Sequence, residues 1–113
     1  MVLIDFNELQ EIAVEGMNGG KGEVISRMQM FEGCRTILCR IPPGSSIGSH
    51  EQKGSNDVNF VVSGNGVAIC DGKEERLHPG TCHICPNGKI HSIINDGDTD
   101  LVLFTFVQKL VTE

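Results

Sequence analysis

Five side chains of this 113-residue chain could act together: His50, Gln52, Asp57 and Asn59 within one stretch, and His91 further along. Two imidazoles, a carboxylate and two amides can hold a divalent cation or hydrogen-bond a small polar ligand. On an extended chain alternate side chains share a face, so His50 and Gln52 leave one side together, as do Asp57 and Asn59 after the Gly54-Ser55 turn. The same alternation puts His91, Ile93 and Asn95 on one face and Ile90, Ser92 and Ile94 on the other. Alone, His91 proves little, since a histidine on an apolar strand is more often a hydrogen-bonded core residue than a ligand. Five such groups converging inside a β-walled cavity are harder to leave bare, because an unpaired buried polar group costs roughly 1–3 kcal/mol. They call for water, a ligand or a metal.

The elements that must position these groups are short strands. Extended patterns run over residues 23–31, 34–41, 47–53, 57–63, 66–70, 74–77, 81–85, 90–94 and 100–111, separated by Gly, Pro, Asn and Asp turns. Punctuation every eight to twelve residues predicts an all-β sandwich or barrel. Residues 81–85 and 90–94, joined by Pro86-Asn87-Gly88, read as a hairpin whose second strand lies beside the first. Before residue 23, Asp5 could cap a short helix with Glu8, with Phe6, Leu9 and Ile12 at helical spacing, and the glycines around Lys21 read as a hinge. A P-loop is excluded there, since the remainder of its pattern is missing. The chain therefore divides into an N-terminal arm, residues 1–22, and a single barrel domain, residues 23–113.

Composition narrows the partners. A formal charge of −6, with nine Lys and Arg scattered among fifteen acids, opposes nucleic-acid binding. No apolar run approaches the ~20 residues that span a bilayer, and residues 1–8 lack the features of a secretory signal, so a cytoplasmic protein is expected. Five cysteines without framework spacing fit a reducing compartment. Cys82 and Cys85 stand three apart on a strand and so point to opposite faces, which spoils chelation and disulfide formation; both read as small buried hydrophobes.

The spacing is similar to that of the cupins. Gly80, Pro86, Gly88, His91 and Asn95 match the second cupin motif at every specified position, and Gly44, His50, Gln52, Asp57 and Gly64 resemble the first in spacing. The resemblance implies a cupin-type jelly-roll barrel with a short N-terminal helix or turn. It also implies a homodimer in which the arm could be swapped, and a divalent metal held at the mouth by three histidines and a glutamate. His50 and His91 fall on ligand positions. Gln52 stands in place of a histidine and Asp57 in place of the glutamate, which weakens the site and turns its preference toward Zn, Mn or Fe, with Ni admissible. Asp57 is the candidate acid-base residue if it does not bind the ion, and Asn59 a substrate-lining one. His78 and His83 read as incidental, Glu51 as facing away, and Asn95 and Gly88 as structural.

Two function classes follow. One is a small metalloenzyme acting on a sugar-like or organic-acid substrate by isomerase, lyase or dioxygenase chemistry. The other is a non-catalytic binding module for a small polar molecule, with a degenerate metal site that holds a metal or none. Without Tyr or Trp, stacking on a large substrate rests on five phenylalanines, so either version takes something small.

Overall fold

A computed structural model describes residues 2–111. Ten strands are found among them: β1 (Ile12–Glu15), β2 (Glu23–Phe31), β3 (Cys34–Ile41), β4 (Ser46–Glu51), β5 (Ser55–Ser63), β6 (Gly66–Cys70), β7 (Lys73–Leu77), β8 (Cys82–Cys85), β9 (Ile90–Ile94) and β10 (Leu101–Lys109). They form two antiparallel sheets, ordered β1-β2-β3-β10-β5-β8 and β4-β9-β6-β7. The turn spacing predicts an all-β sandwich or barrel and the family resemblance a jelly-roll barrel, and an all-β barrel of this kind is the architecture found. No helix among the described residues is long and apolar enough to cross a membrane.

The inner face of the six-stranded sheet changes in polarity from rung to rung. At the closed end Ile41 pairs with Leu101, followed by Cys39, Leu103 and Val61 across three strands. With Val24, Ala68, Leu77 and Ile93 these residues make the buried core. Each large aliphatic side chain buried there is worth about 1.5–3 kcal/mol. Next come Ile37, Thr105 and Asn59, then Arg35, Val107 and Asp57. Hydrocarbon thus closes one end of the barrel, and polar groups open the other.

Two expectations are corrected here. Residues 81–85 and 90–94 do not form a hairpin: β8 pairs with β5, whereas β9 lies between β4 and β6 in the other sheet. The turn at Pro86 carries the chain across the barrel, so residues of β8 and β9 face one another through the interior. The second concerns the arm, where Ile12 belongs to strand β1, paired with β2, and the helical piece before it is a 3-10 turn, Phe6–Glu8. Asp5 does cap that turn, accepting from the Asn7 backbone N–H at 3.0 Å. Arg27 then ties the arm down by donating to the carbonyls of Phe6, Asn7 and Leu9, and Phe6 packs edge-on to Phe104.

The mouth is shaped by a close contact of two glycines. A Cβ on Gly48 would lie 2.2 Å from the Asn18 carbonyl oxygen, and one on Gly20 would lie 2.1 Å from that of Ser46. Only glycine permits this approach. It presses the loop bearing Met17 and Asn18 onto β4, where both residues line the cavity.

Candidate metal and ligand site

His50 reaches the interior because β4 is bulged. Ile47 pairs with Ile93 and His50 with His91, so three steps on β4 match two on β9. The extra residue lets Ile47 and His50 share the inner face that regular alternation would deny to one of them. The bulge also supplies an acceptor: His50 Nδ1 donates to the Gly48 carbonyl at 2.8 Å, leaving Nε2 as the nitrogen with a free electron pair.

His91 is 1% exposed and stands on β9 with both ring nitrogens engaged. Its Nε2 lies 3.2 Å from His50 Nε2 and 3.2 Å from Asp57 Oδ2. Its Nδ1 lies 3.0 Å from Nε2 of His83, whose Nδ1 is 2.7 Å from Glu75 Oε1. An ionised Glu75 can only accept, so His83 Nδ1–H donates to it. A neutral His83 then accepts from His91 Nδ1–H, and His91 Nε2 carries a lone pair toward the cavity. Two imidazole lone pairs and a carboxylate oxygen meet with no donor among them in this arrangement. A proton shared among them, or a cation, would satisfy these acceptors.

His83 is therefore not incidental. It is 3% exposed and stacks on His91 with ring centroids 5.2 Å apart. Sequence reading missed it and its partner Glu75, although parity held the signal: His83 shares a strand face with buried Cys85, and Glu75 shares one with buried Leu77. His78 is exposed in its turn, as expected. Cys82 and Cys85 do point to opposite faces, but Cys82 is exposed, which corrects its reading as a buried hydrophobe. Burial raises the Cys85 thiol pKa, and it pushes that of Cys39 up to about 12. Asn95 braces the strand end, donating through Nδ2 to the carbonyls of Ile41 and Thr99.

Gln52 departs from the expected placement. β4 ends at Glu51, and the Gln52 side-chain amide donates to Ser55 Oγ at 2.6 Å. It lines the cavity without a hydrogen bond to the histidine pair. Glu51 is exposed at the rim. Among the described residues no three His, Cys, Asp or Glu side chains form a ready-made ligand cluster. His50 and Asp57 each approach His91, which leaves His91 as the hub of two close pairs. Two donors on one ion with bonds of about 2.0–2.2 Å stand roughly 3 Å apart, and each of these 3.2 Å pairs taken singly has that spacing.

Deeper in the cavity, Asn59 is 2% exposed, and its Oδ1 accepts from Thr105 Oγ1 at 2.7 Å. Its Nδ2 has no hydrogen-bond partner. The cavity measures about 520 Å³ and is open on one side. That is within the range that takes a small organic ligand.

A model of the Cupin domain family matches residues 37–107. The chain is 32% identical over 106 residues to the oxalate-binding protein of Thermotoga maritima, with 88% of each chain covered. It is 36% identical over 78 residues to the 5-aminosalicylate 1,2-dioxygenase of a Comamonas species, a match covering 69% of this chain and 20% of that protein. The crystal structure of a predicted oxalate decarboxylase from Thermotoga maritima superposes with a TM-score of 0.90 at 29% identity, covering 96% of this chain and all of that one.

Proposed function

This chain belongs to the cupin family, and from that premise we propose that it binds a small organic acid in the barrel mouth beside a divalent cation held by His50, His91 and Asp57. The observation that carries the reading is the approach of His50 Nε2 and Asp57 Oδ2 each to 3.2 Å from His91 Nε2. The relative named for oxalate binding supports the ligand class.

In this reading each residue has a distinct part. Gly48 and His83 hold the two imidazoles in the tautomers that offer Nε2 to the cavity. Asp57 offsets one charge of the cation, leaving an excess that attracts a carboxylate. Asn59 Nδ2 donates to a ligand oxygen. Ile47 and Met17 line the walls and limit water. A bound divalent ion supplies Lewis acidity toward a carboxylate or carbonyl oxygen.

The test is elemental analysis of protein purified without a histidine tag, followed by calorimetric titration of the Mn- or Zn-loaded protein with oxalate. Stoichiometric metal and saturable acid binding are expected, both lost in His91→Ala. A chain that binds neither metal nor acid overturns the reading.

A second reading is catalytic. It is favoured by the Asp57 carboxylate, which lies beside His91 and could exchange a proton with a bound ligand if it is not held by the ion. Turnover of the acid by wild type and its loss in Asp57→Asn, with acid binding retained, would establish it.

We also infer a homodimer. Phe60, Val62 and Ile84 stand on the outer face of the six-stranded sheet, each between 43% and 52% exposed. A second copy of the same face would cover them. Light scattering of wild type and Phe60→Glu tests this, with a shift from dimer to monomer expected.

A further inference from the structure

The mouth of the cavity holds charged groups that the donor cluster does not use. Arg35 shares the inner face of β3 with Ile37 and Cys39, and it lines the opening together with Lys53 and Lys109. Three of the nine Lys and Arg of a chain with formal charge −6 thus surround one opening. Each of the other three arginines, Arg27, Arg40 and Arg76, is within ion-pairing distance of a carboxylate. Among the described residues Arg35 has no such partner. Its guanidinium presents a planar fork to the cavity entrance with its donors uncommitted.

A solvent-facing cation alone would mean little. The second observation lies one rung deeper, where Asn59 carries a buried amide donor without an acceptor. The rungs relate the two positions: Arg35, Val107 and Asp57 lie side by side on β3, β10 and β5, and Ile37, Thr105 and Asn59 form the next row inward. Neighbouring strands are about 4.8 Å apart and one rung is about 7 Å along a strand, so Arg35 and Asn59 start from backbones separated by roughly 12 Å. Both side chains shorten that gap by reaching into the cavity. At about 520 Å³ the cavity also has far more room than a two-carbon acid occupies.

We propose that Arg35 determines specificity in this pocket by binding a ligand carboxylate at the mouth, while Asn59 Nδ2 donates to an oxygen at the inner end of the same molecule. The proposal rests on the organic-acid reading and refines it. The ligand is an acid with oxygen functions at both ends and a body longer than that of oxalate, such as a four-carbon dicarboxylate or a hydroxylated aromatic acid. Lys53 and Lys109 add to the attraction at the opening without a matching fork, so they strengthen capture more than fit.

Calorimetric titrations of the metal-loaded protein with oxalate, succinate, malate, 4-hydroxybenzoate and the neutral diamide succinamide test this in wild type, Arg35→Ala, Arg35→Lys and Asn59→Leu. In wild type, at least one of the longer acids should bind more tightly than oxalate, and succinamide should bind far more weakly than succinate. Arg35→Ala should weaken the preferred acid by about 10- to 100-fold, the loss of a charge-assisted bidentate contact, and Arg35→Lys should recover part of it. Asn59→Leu should weaken the same acid while the protein stays folded by circular dichroism. Equal affinity for the acid in wild type and Arg35→Ala, or equal affinity for succinate and succinamide, overturns the Arg35 assignment and leaves the organic-acid reading standing. A wild type that binds none of the acids removes that reading and this assignment with it.

Discussion

His83 Nε2 lies 3.0 Å from His91 Nδ1, a contact between β8 of one sheet and β9 of the other through the barrel interior. With Glu75 at the far side of His83, a line of three residues runs from an exposed carboxylate to the cavity. Supporting contacts of this kind set ring orientation and tautomer for a metal-binding histidine. Replacing His83 with Phe should therefore lower Zn or Mn affinity by roughly 10- to 100-fold, whereas His83→Gln, whose amide oxygen can still accept from His91, should recover part of it. Equal affinities in competition titrations of the two variants would rule out an orienting role.

The histidine pair can be tested from either side. His91→Ala should abolish metal retention, measured by elemental analysis, while the folded state persists. Gln52→His should tighten metal binding only if the chain beyond Glu51 can turn its side chain from Ser55 to the cavity. Unchanged affinity would show that position 52 acts through Ser55 alone.

Asn59 sets stability against binding. Its unpaired Nδ2 is buried, and its Oδ1 depends on Thr105. Replacing both partners by apolar groups removes an unsatisfied donor without orphaning the hydroxyl, so Asn59→Leu with Thr105→Val should raise stability by about 1 kcal/mol. Thermal denaturation of the double variant should show a higher midpoint, and acid binding should fall.

Gly48→Ala should destabilise the chain by 2 kcal/mol or more in order of magnitude, because its Cβ would overlap the Asn18 carbonyl. Either the loop holding Met17 and Asn18 lifts from the mouth, or β4 loses its bulge and His50 its acceptor. Urea titration measures the first cost, and metal affinity reports the second.

Cys39 ties stability to alkaline pH. Its thiol pKa rises from 9.0 to about 12 on folding, chiefly through burial. A raised folded value means that the thiol's contribution is fully present below pH 9.0 and is lost as pH climbs toward about 12. The slope should approach 1.4 kcal/mol per pH unit in that window. Cys39→Val should remove its share of the slope, while Cys85, whose thiol pKa is raised too, keeps its own. At pH 8 a thiol reagent should label exposed Cys82 quickly and Cys39 only after unfolding.

Much of the fold could be read along the chain because its signals are local. Gly, Pro and Asn turns impose dihedral preferences within a few residues, and β2, β3, β6 and β9 begin and end where those turns place them. The motif positions Gly44, His50, Gly80, Pro86, His91 and Asn95 were legible through the resemblance to the cupin motifs. Strand parity also predicted the inward faces of β5 and β9 correctly.

Pairing was not legible, since a turn does not state which sheet receives the next strand. Pro86-Asn87-Gly88 has the composition of a hairpin, yet it crosses between sheets, because β8 is drawn to the free edge of β5 and β9 fills the place between β4 and β6. That choice is made by burial summed over the whole barrel. It is also what brings His83 against His91.

The sequence by itself therefore determined the strand content, the turn positions and the inward face of His91, since alternation and turn chemistry act over a few residues. Only the tertiary structure decided that a bulge at Gly48 turns His50 inward, that His83 and Glu75 stand behind His91, and that Arg35 guards the mouth above an unpaired Asn59. Each of these depends on contacts between strands distant in the chain, and their geometry exists only once both sheets have closed on a common core.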